Sequence, residues 1–195
     1  MPPKQILTKD MILSAAIELT KASGFESVNA RSLAQKLGCS TRPIYSCYSN
    51  MDDLKRDAYQ LAVSKLVDTG ANHINSEADY IAYNMLYIQF AKNEFNLFKL
   101  IYLSNQFESD EHDSLIEVHE VSKVIHERLA QIYLLSPSQS LNLFKKVWYF
   151  MHGMAVMLAT NSIKLEDSEI ERMFKELIHD VVEGERRRES AQGEH

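Results

Sequence analysis

The sequence predicts an all-α protein of about nine helices. The 195 residues include only 6 glycines and 4 prolines, which leaves little of the turn punctuation that a β-barrel or β-sandwich requires. Apolar residues recur every three to four positions through most of the chain, and no segment shows the alternation of a half-buried strand. With 45% hydrophobic and 25% charged residues, the composition is that of a globular protein rather than a disordered chain.

Turn and capping residues divide the amino-terminal third into four predicted helices. Glycine ends a helix well because it adopts the left-handed conformation without strain, whereas serine and asparagine cap helix starts. The predicted helices are Thr8–Ser23 followed by Gly24, Ala30–Leu37 between Asn29 and Gly38, a third capped by Ser40, and a fourth capped by Asn50. Pro43 is compatible with the third helix because an N–H group in the first turn needs no partner within the helix.

Five longer apolar stripes follow and predict a second helical region. The corresponding helices are Ala78–Asn93, Glu94–Ser104, Ser114–Leu135, Ser138–Ser162 and Asp167–Glu185. We therefore expect residues 1–50 to form one domain, residues 51–70 a linking helix, and residues 71–185 a second domain. Residues 186–195 are predicted to be a disordered tail, because they lack the apolar side chains that anchor a helix.

The charge is distributed unevenly along the chain. Residues 1–48 carry six Lys and Arg and three Asp and Glu, whereas the remaining 147 residues carry 15 and 24. The net charge of −6 is therefore the sum of a basic amino-terminal segment and an acidic remainder. This asymmetry indicates that the first segment meets a polyanion and that the rest does not.

The sequence also predicts a cytoplasmic location. Cys39 and Cys47 match neither a disulfide framework nor a zinc-ligand set. The longest apolar run, Val147–Thr160, is shorter than the ~20 residues that a bilayer-spanning helix needs. Residues 1–20 lack the continuous apolar segment and cleavage site of a signal peptide.

The segment from Ala30 to Tyr45 is the motif that points to a function. Two short predicted helices are separated by a turn containing Gly38, and the second begins with small polar and basic residues. This is the layout of a helix-turn-helix. A helix fits the major groove of DNA, and the side chains and N–H groups at its amino-terminal end point towards base edges and phosphates.

At these residues the chain resembles the amino-terminal domain of TetR-family transcriptional regulators, over residues 8–60. The matching elements are Gly24-Phe25, Val28-Asn29-Ala30-Arg31, Leu33-Ala34, Leu37-Gly38-Cys39-Ser40, Ile44-Tyr45, Tyr48, Asn50 and Leu54. The resemblance implies an all-helical homodimer in which three helices bind DNA and a fourth leads to a ligand-binding and dimerisation core. It also implies a repressor that binds a palindromic operator and is released by a small-molecule effector.

The resemblance assigns roles to particular side chains. Arg42 is the candidate for bidentate readout of guanine, Arg31 for a base edge or the DNA backbone, and Tyr45 for a phosphate. Tyr45 and Tyr48 are three residues apart, so only one of them needs to face the core. The full set of predicted DNA-binding residues is Asn29, Arg31, Ser40, Thr41, Arg42, Pro43, Tyr45, Ser46, Asn50 and Lys55.

Two positions depart from the family pattern. Cys47 stands where the family commonly has histidine, and Met51 stands where it commonly has a phosphate-binding lysine. Each departure removes a donor to the DNA backbone. The consequence is either weaker phosphate binding or compensation by Lys55 and Lys4.

The second region is rich in aromatic residues and methionine, which adapt to irregular volumes and to flat apolar ligands. The same residues also serve as ordinary core, and His152 is either a satisfied core histidine or a polar anchor in a pocket. The predicted ligand-binding residues are Tyr83, Tyr87, Phe98, Tyr102, Trp148 and His152. We expect an apolar or aromatic effector, with cationic aromatic compounds as a sub-case.

Dimerisation is predicted through the last two helices, because apolar stripes continue close to the end of the chain. The residues expected in this contact are Val147, Met151, Met154, Leu158, Ile170, Phe174, Leu177 and Val181.

Other classes of function have less support in the sequence. A helical small-molecule-binding protein that uses residues 30–50 only for packing is the main alternative to a DNA-binding regulator. An enzyme has no catalytic motif behind it, and we expect no metal or cofactor. Salt-dependent retardation of DNA distinguishes the regulator from these alternatives.

Overall fold

A computed structural model of the protein describes residues 7–67, 71–104 and 120–192. Within these ranges the structure contains nine α-helices, two short 3-10 helices and no strand, which confirms the predicted all-α class for this part of the chain. The helices are α1 (Lys9–Ser23), α2 (Ala30–Lys36), α3 (Thr41–Cys47), α4 (Met51–Val67), α5 (Glu77–Asn93), α6 (Phe95–Tyr102), α7 (Glu120–Tyr133), α8 (Pro137–Ala159) and α9 (Asp167–Gln192). None of these helices combines the length and apolar character needed to cross a bilayer. Lys4 and the predicted helix start at Ser114 lie outside the described residues.

The chain divides into two compact units. The first comprises Met1–Asp68 and Glu94–Ser109, and the second comprises Thr69–Asn93 and Asp110–His195. In the first unit, α1 packs against α2, α4 and α6. The core of this unit consists of fully buried apolar side chains, among them Ile12, Val28, Leu33, Ile44 and Leu54.

Helix α6 belongs to the first unit, whereas the sequence predicts residues 94–104 to lie in the second domain. Three polar contacts hold α6 to the end of α1 and to the turn after it. The Nζ atom of Lys21 lies 2.8 Å from a carboxylate oxygen of Glu94, and the Asn96 side-chain amide donates to the Lys21 carbonyl at 2.9 Å. Lys99 pairs with Glu26 at 3.7 Å. These contacts join residues about 75 positions apart, so no local pattern in the sequence predicts them.

The ends of the first helices follow the predicted chemistry. Gly24 and Gly38 have φ angles of 82° and 63°, in the left-handed region that glycine adopts without strain. The Asn29 side-chain oxygen accepts hydrogen bonds from the backbone N–H groups of Arg31 and Ser32, both at 3.0 Å. In return, the Ser32 hydroxyl accepts from the Asn29 N–H at 3.1 Å. Asn29 therefore fixes the first turn of α2.

Replacing Asn29 with alanine is expected to lower the free energy of unfolding by about 0.5–2 kcal/mol, because two N–H groups at the start of α2 lose their acceptor. Urea unfolding followed by circular dichroism measures this loss. Gln35→Ala, in the exposed face of the same helix, is the matched control and should change stability by less than about 0.5 kcal/mol. Equal effects of the two substitutions would show that the cap contributes nothing.

The second unit is built from α5, α7, α8 and α9, with α8 packing against the other three. A capping box starts α8, in which the Gln139 N–H donates to the Ser136 hydroxyl and the Gln139 side chain accepts from the Ser136 N–H. The core combines one stripe of α8 with one stripe of α9, including Val147, Met151, Ile170 and Phe174.

This packing corrects the predicted dimer contact. Seven of the eight residues predicted for it are buried inside the second unit: Val147, Met151, Met154, Leu158, Ile170, Phe174 and Val181. Their apolar stripes are used within the chain, so they are not available to a second copy. A different face of α8 is exposed, with Tyr149 59% exposed, Met157 44% exposed and Gly153 between them.

The predicted tail is helical as far as Gln192, since α9 continues past Glu185. Glu185 is buried and contacts the side chains of Asn142, Lys146 and Arg188. Although burial opposes ionisation, the hydrogen bonds from Arg188 and Asn142 hold the pKa of Glu185 below its usual range. An ionised, multiply bonded carboxylate at this point joins α9 to α8 and gives the end of α9 an anchor that hydropathy does not reveal.

Candidate functional site

Helices α2 and α3 form a compact pair joined by a turn at residues 37–40. Leu33 and Ala34 on α2 and Ile44 on α3 are buried between the helices and the rest of the first unit. The backbone N–H of Cys39 donates to the Ala34 carbonyl at 3.0 Å, which closes the end of α2. One face of α3 is therefore fixed against the core, and the opposite face is left to solvent.

Helix α3 carries five of the ten residues predicted to contact DNA. Thr41, Arg42, Tyr45 and Ser46 are all exposed, and Pro43 is half-buried. The Tyr45 side chain is 52% exposed while Tyr48 is 4% exposed, so the outward tyrosine is the one predicted for phosphate contact. The Ser46 hydroxyl donates to the Arg42 carbonyl at 3.1 Å.

The basic side chains of the first unit differ in whether they have a partner. Most of its basic side chains have a partner. Four form the ion pairs Lys21–Glu94, Lys36–Glu18, Arg56–Asp53 and Lys99–Glu26. Two others lie over aromatic rings, Lys9 over Tyr48 and Lys55 over Phe25. Within the described ranges, Arg31 and Arg42 are exposed and make no ion pair. Both lie in the first turn of their helices, so their charge adds to the positive end of the helix dipole. Among the basic side chains described in this unit, those with neither an ion pair nor a ring contact are thus at the starts of α2 and α3.

Three predicted DNA-binding residues have structural contacts of their own. The Asn29 side chain caps α2, and its amide donates to the Ser27 carbonyl at 3.1 Å. The Asn50 side chain bonds both the backbone N–H and the carboxylate of Asp53, at 2.8 and 2.9 Å. Lys55 is half-buried, with its Nζ atom 5.7 Å from the centre of the Phe25 ring. Ser40 precedes α3 in the capping position but makes no capping hydrogen bond through its side chain.

The carboxyl-terminal end of α3 is held by contacts that sequence reasoning missed. The hydroxyl of buried Tyr48 donates to the Asp57 carboxylate on α4 at 3.1 Å, and Lys9 lies 4.6 Å from the centre of the Tyr48 ring. Burial, together with Asp57, raises the pKa of Tyr48 above its usual value, so the phenol stays protonated as the donor. The Cys47 thiol donates to the Leu7 carbonyl at 3.6 Å. Cys47 and Tyr48 thus position α3 relative to α1 and α4.

Three of the predicted ligand-binding residues meet in the second unit. The Tyr87 hydroxyl on α5 lies 2.9 Å from Nδ1 of His152 on α8. The His152 and Trp148 rings are stacked, with a 1° angle between their planes and 5.0 Å between their centres. Tyr83 lies on α5 and is half-buried. We call Tyr87, Trp148 and His152 the aromatic cluster.

The other two predicted ligand-binding residues belong to the first unit. Phe98 is fully buried on α6, and its ring centre is 5.3 Å from that of Tyr102. The six residues predicted as one pocket are thus divided between the two units. A ligand role for each of the six stays a prediction.

Burial lowers the pKa of His152 below its ordinary value of about 6.5, because the half-buried imidazolium loses hydration. We expect this to be visible in fluorescence, since Trp148 is the only tryptophan of the chain and an imidazolium stacked on indole quenches its emission. As the pH is lowered from 7.5, His152 takes up a proton and the emission of Trp148 should fall, with a midpoint below pH 6.5. His152→Gln should abolish the step, and His179→Gln, on the exposed face of α9, should leave it unchanged.

The lowered pKa of His152 also determines how folding stability changes with pH. The unfolded chain binds a proton at His152 more readily than the folded chain, so the stability contribution of neutral His152 is present above about pH 6.5. It is lost as the pH falls from 6.5 through the lower folded-state pKa. A fluorescence midpoint at or above 6.5 would contradict both statements.

Comparisons with models of known protein families and with curated proteins found no match to this chain.

Proposed function

We propose that this protein is a DNA-binding transcriptional regulator of the TetR type, a repressor that binds a palindromic operator as a homodimer and responds to a small molecule. The observation that carries the proposal is the outward face of α3. It combines exposed Arg42, Thr41, Tyr45 and Ser46 with a buried opposite face, in a unit where most other basic side chains have partners.

This arrangement suits the major groove. A helix of this kind enters the groove with its amino-terminal residues nearest the bases, which is where Thr41 and Arg42 lie. Tyr45 follows Arg42 by three residues and points to the same side, at a position suited to the flanking phosphate backbone. Arg31, in the first turn of α2, supplies a second exposed cation in the same unit.

The response to a small molecule is proposed to pass from α5 to α6. Helix α5 contributes Tyr87 to the aromatic cluster, and a single residue, Glu94, separates the end of α5 from the start of α6. Glu94 and Asn96 attach α6 to Lys21 at the end of α1. A ligand that favours one position of α5 would therefore act on the first unit through a short covalent connection.

Retardation of DNA fragments in gels of increasing salt tests the DNA-binding role. The association constant should fall steeply with salt, with a log-log slope of about −0.9 for each phosphate contact. Selection of bound fragments from random DNA should yield a two-fold symmetric sequence. The absence of salt-dependent binding would instead favour a helical small-molecule-binding protein without specific DNA binding.

Tyr45→Phe tests the division of roles on α3. The substitution keeps the ring and deletes one hydroxyl, so binding to all DNA sequences should weaken alike, by about 0.5–1.5 kcal/mol for each hydrogen bond lost. Competition between the selected site and a single-base variant measures this. Tyr59→Phe, at a half-buried position on α4, serves as the control and should leave both affinities unchanged. A loss confined to one sequence would assign base readout to Tyr45.

A further inference from the structure

We propose that Lys9, at the start of α1, contacts the phosphate backbone of DNA and supplies a contact that Cys47 and Met51 cannot make. The inference deepens the proposed function and rests on it, because it adds a further residue to the same interface. Two observations carry it. Lys9 lies beside the carboxyl-terminal end of α3, and its ammonium group forms no ion pair within the described residues.

Two contacts place the start of α1 beside the end of α3. The Cys47 thiol donates to the Leu7 carbonyl at 3.6 Å, two residues before Lys9. The Lys9 ammonium lies over the Tyr48 ring, 4.6 Å from its centre, and Tyr48 directly follows α3. Lys9 also lines one cleft together with Cys47, Tyr48 and Ser49. The first turn of α1 therefore continues the surface at the carboxyl-terminal end of α3.

The same contacts give Cys47 a different task from the histidine that the resembling family commonly has at this position. A thiol has one weak hydrogen-bond donor, and that of Cys47 already has the Leu7 carbonyl as its acceptor. The side chain is thus used to hold the start of α1 and is not offered to DNA. In this chain the position of the lost phosphate donor fixes the segment that carries Lys9.

The charge of Lys9 remains available to a phosphate. Lys9 is exposed, and the ring beneath its ammonium attracts a cation without carrying a net charge that would cancel it. Asp10 is adjacent in sequence, but neighbouring helix positions do not face each other. Lys55, the other described lysine considered for compensation, is half-buried, with its Nζ atom 5.7 Å from the centre of the Phe25 ring.

The carboxylates that line the same cleft have other partners. Asp57 accepts a hydrogen bond from the Tyr48 hydroxyl at 3.1 Å. Asp53 lies 3.9 Å from the guanidinium of Arg56. Neither carboxylate forms an ion pair with Lys9, so a phosphate can approach the ammonium without displacing an existing salt bridge.

The place of Lys9 predicts a contact to phosphate rather than to a base. A recognition helix presents its amino-terminal residues to the base edges in the major groove. Tyr48 follows Arg42 by six residues, which is about 9 Å along the helix axis at 1.5 Å per residue. A cation at that distance is offset by most of the ~12 Å width of the groove and meets the backbone. The contact should therefore strengthen binding to all DNA sequences alike.

Lys9→Gln in the full chain tests this contact by DNA retardation over a range of salt, on the selected site and on a single-base variant. The log-log slope should become shallower by about 0.9 for each copy of the chain on the DNA, and the loss of affinity should be the same on both sites. For each tenfold fall in salt, the deficit should grow about eightfold per contact, the factor that a slope of 0.9 gives.

Two further variants make the test specific to the charge at this position. Lys9→Arg keeps the charge and should retain the slope of the unsubstituted protein. Lys36→Gln is the matched control, because it removes the same charge from a lysine that is paired with Glu18 at 2.7 Å, and it should leave the slope unchanged. Circular dichroism establishes that each variant is folded.

The outcomes separate this inference from the proposed function. If Lys9→Gln has the same slope as Lys36→Gln, or if its loss is confined to one of the two sites, Lys9 does not contact phosphate and the proposed DNA-binding function still stands. If the unsubstituted protein shows no salt-dependent binding to DNA, both the proposed function and this inference are overturned.

Discussion

Arg42→Ala is expected to weaken binding to the preferred operator by about 1–3 kcal/mol, roughly a 5- to 150-fold loss of affinity. Arg42 is exposed in the first turn of α3 and makes no ion pair within the described residues, so its guanidinium is available to the two acceptors of a guanine. The loss should depend on sequence, with the preference relaxed at one position of each half-site.

Competition assays on the selected site and on single-base variants measure this difference. Arg56→Ala is the matched control, because Arg56 is an exposed arginine on α4 whose guanidinium lies 3.9 Å from Asp53. We expect it to change both affinities by the same small factor. An equal loss on all sites for Arg42→Ala would make Arg42 a phosphate contact and would leave specificity to Arg31, Thr41 and Ser46.

Gly153→Arg is expected to separate the proposed homodimer and to reduce operator affinity by at least about 100-fold, since a single copy reads only one half-site. Gly153 lies between Tyr149 and Met157 on the exposed face of α8, at successive spacings of four residues. Among the described residues, nothing lies within 4 Å of a Cβ atom placed at Gly153, so this part of the fold tolerates the larger side chain. In a two-fold contact the substitution places two cations in one apolar surface.

Sedimentation at micromolar concentration measures the oligomeric state, and DNA retardation measures the operator affinity. Met157→Glu, on the same face, should act in the same direction. Leu134→Glu is the control, because Leu134 is 89% exposed in the turn between α7 and α8. A dimer that survives both α8 substitutions would show that two copies meet through another surface.

Much of the first unit could be predicted from local sequence. The stops at Gly24 and Gly38 and the cap at Asn29 depend on side chains within a few residues of the backbone groups that they satisfy. The exposed face of α3 follows from the same local rule, because a helix that buries Ile44 turns Arg42 and Tyr45 away from the core. Helix periodicity is a property of consecutive residues, so it can be recognised without knowledge of the tertiary fold.

The tertiary structure alone decided which apolar stripe of α8 is core. From Val147 to Ala159 this helix is apolar on most of its circumference, so periodicity does not choose between Val147 with Met151 and Tyr149 with Met157. Packing against α5, α7 and α9 buries the first pair and leaves the second exposed.

The contacts between residues far apart in the sequence were also decided by the tertiary structure alone. The Tyr87 and His152 pair joins positions 65 apart, and the contact of Asn96 with Lys21 joins positions 75 apart. The sequence by itself determined that the described chain is helical, where its first helices begin and end, and which side of α3 faces outward. The partners of α6, the membership of the aromatic cluster and the pairing of the basic residues were decided by the fold, because each depends on where separate helices meet rather than on neighbours along the chain.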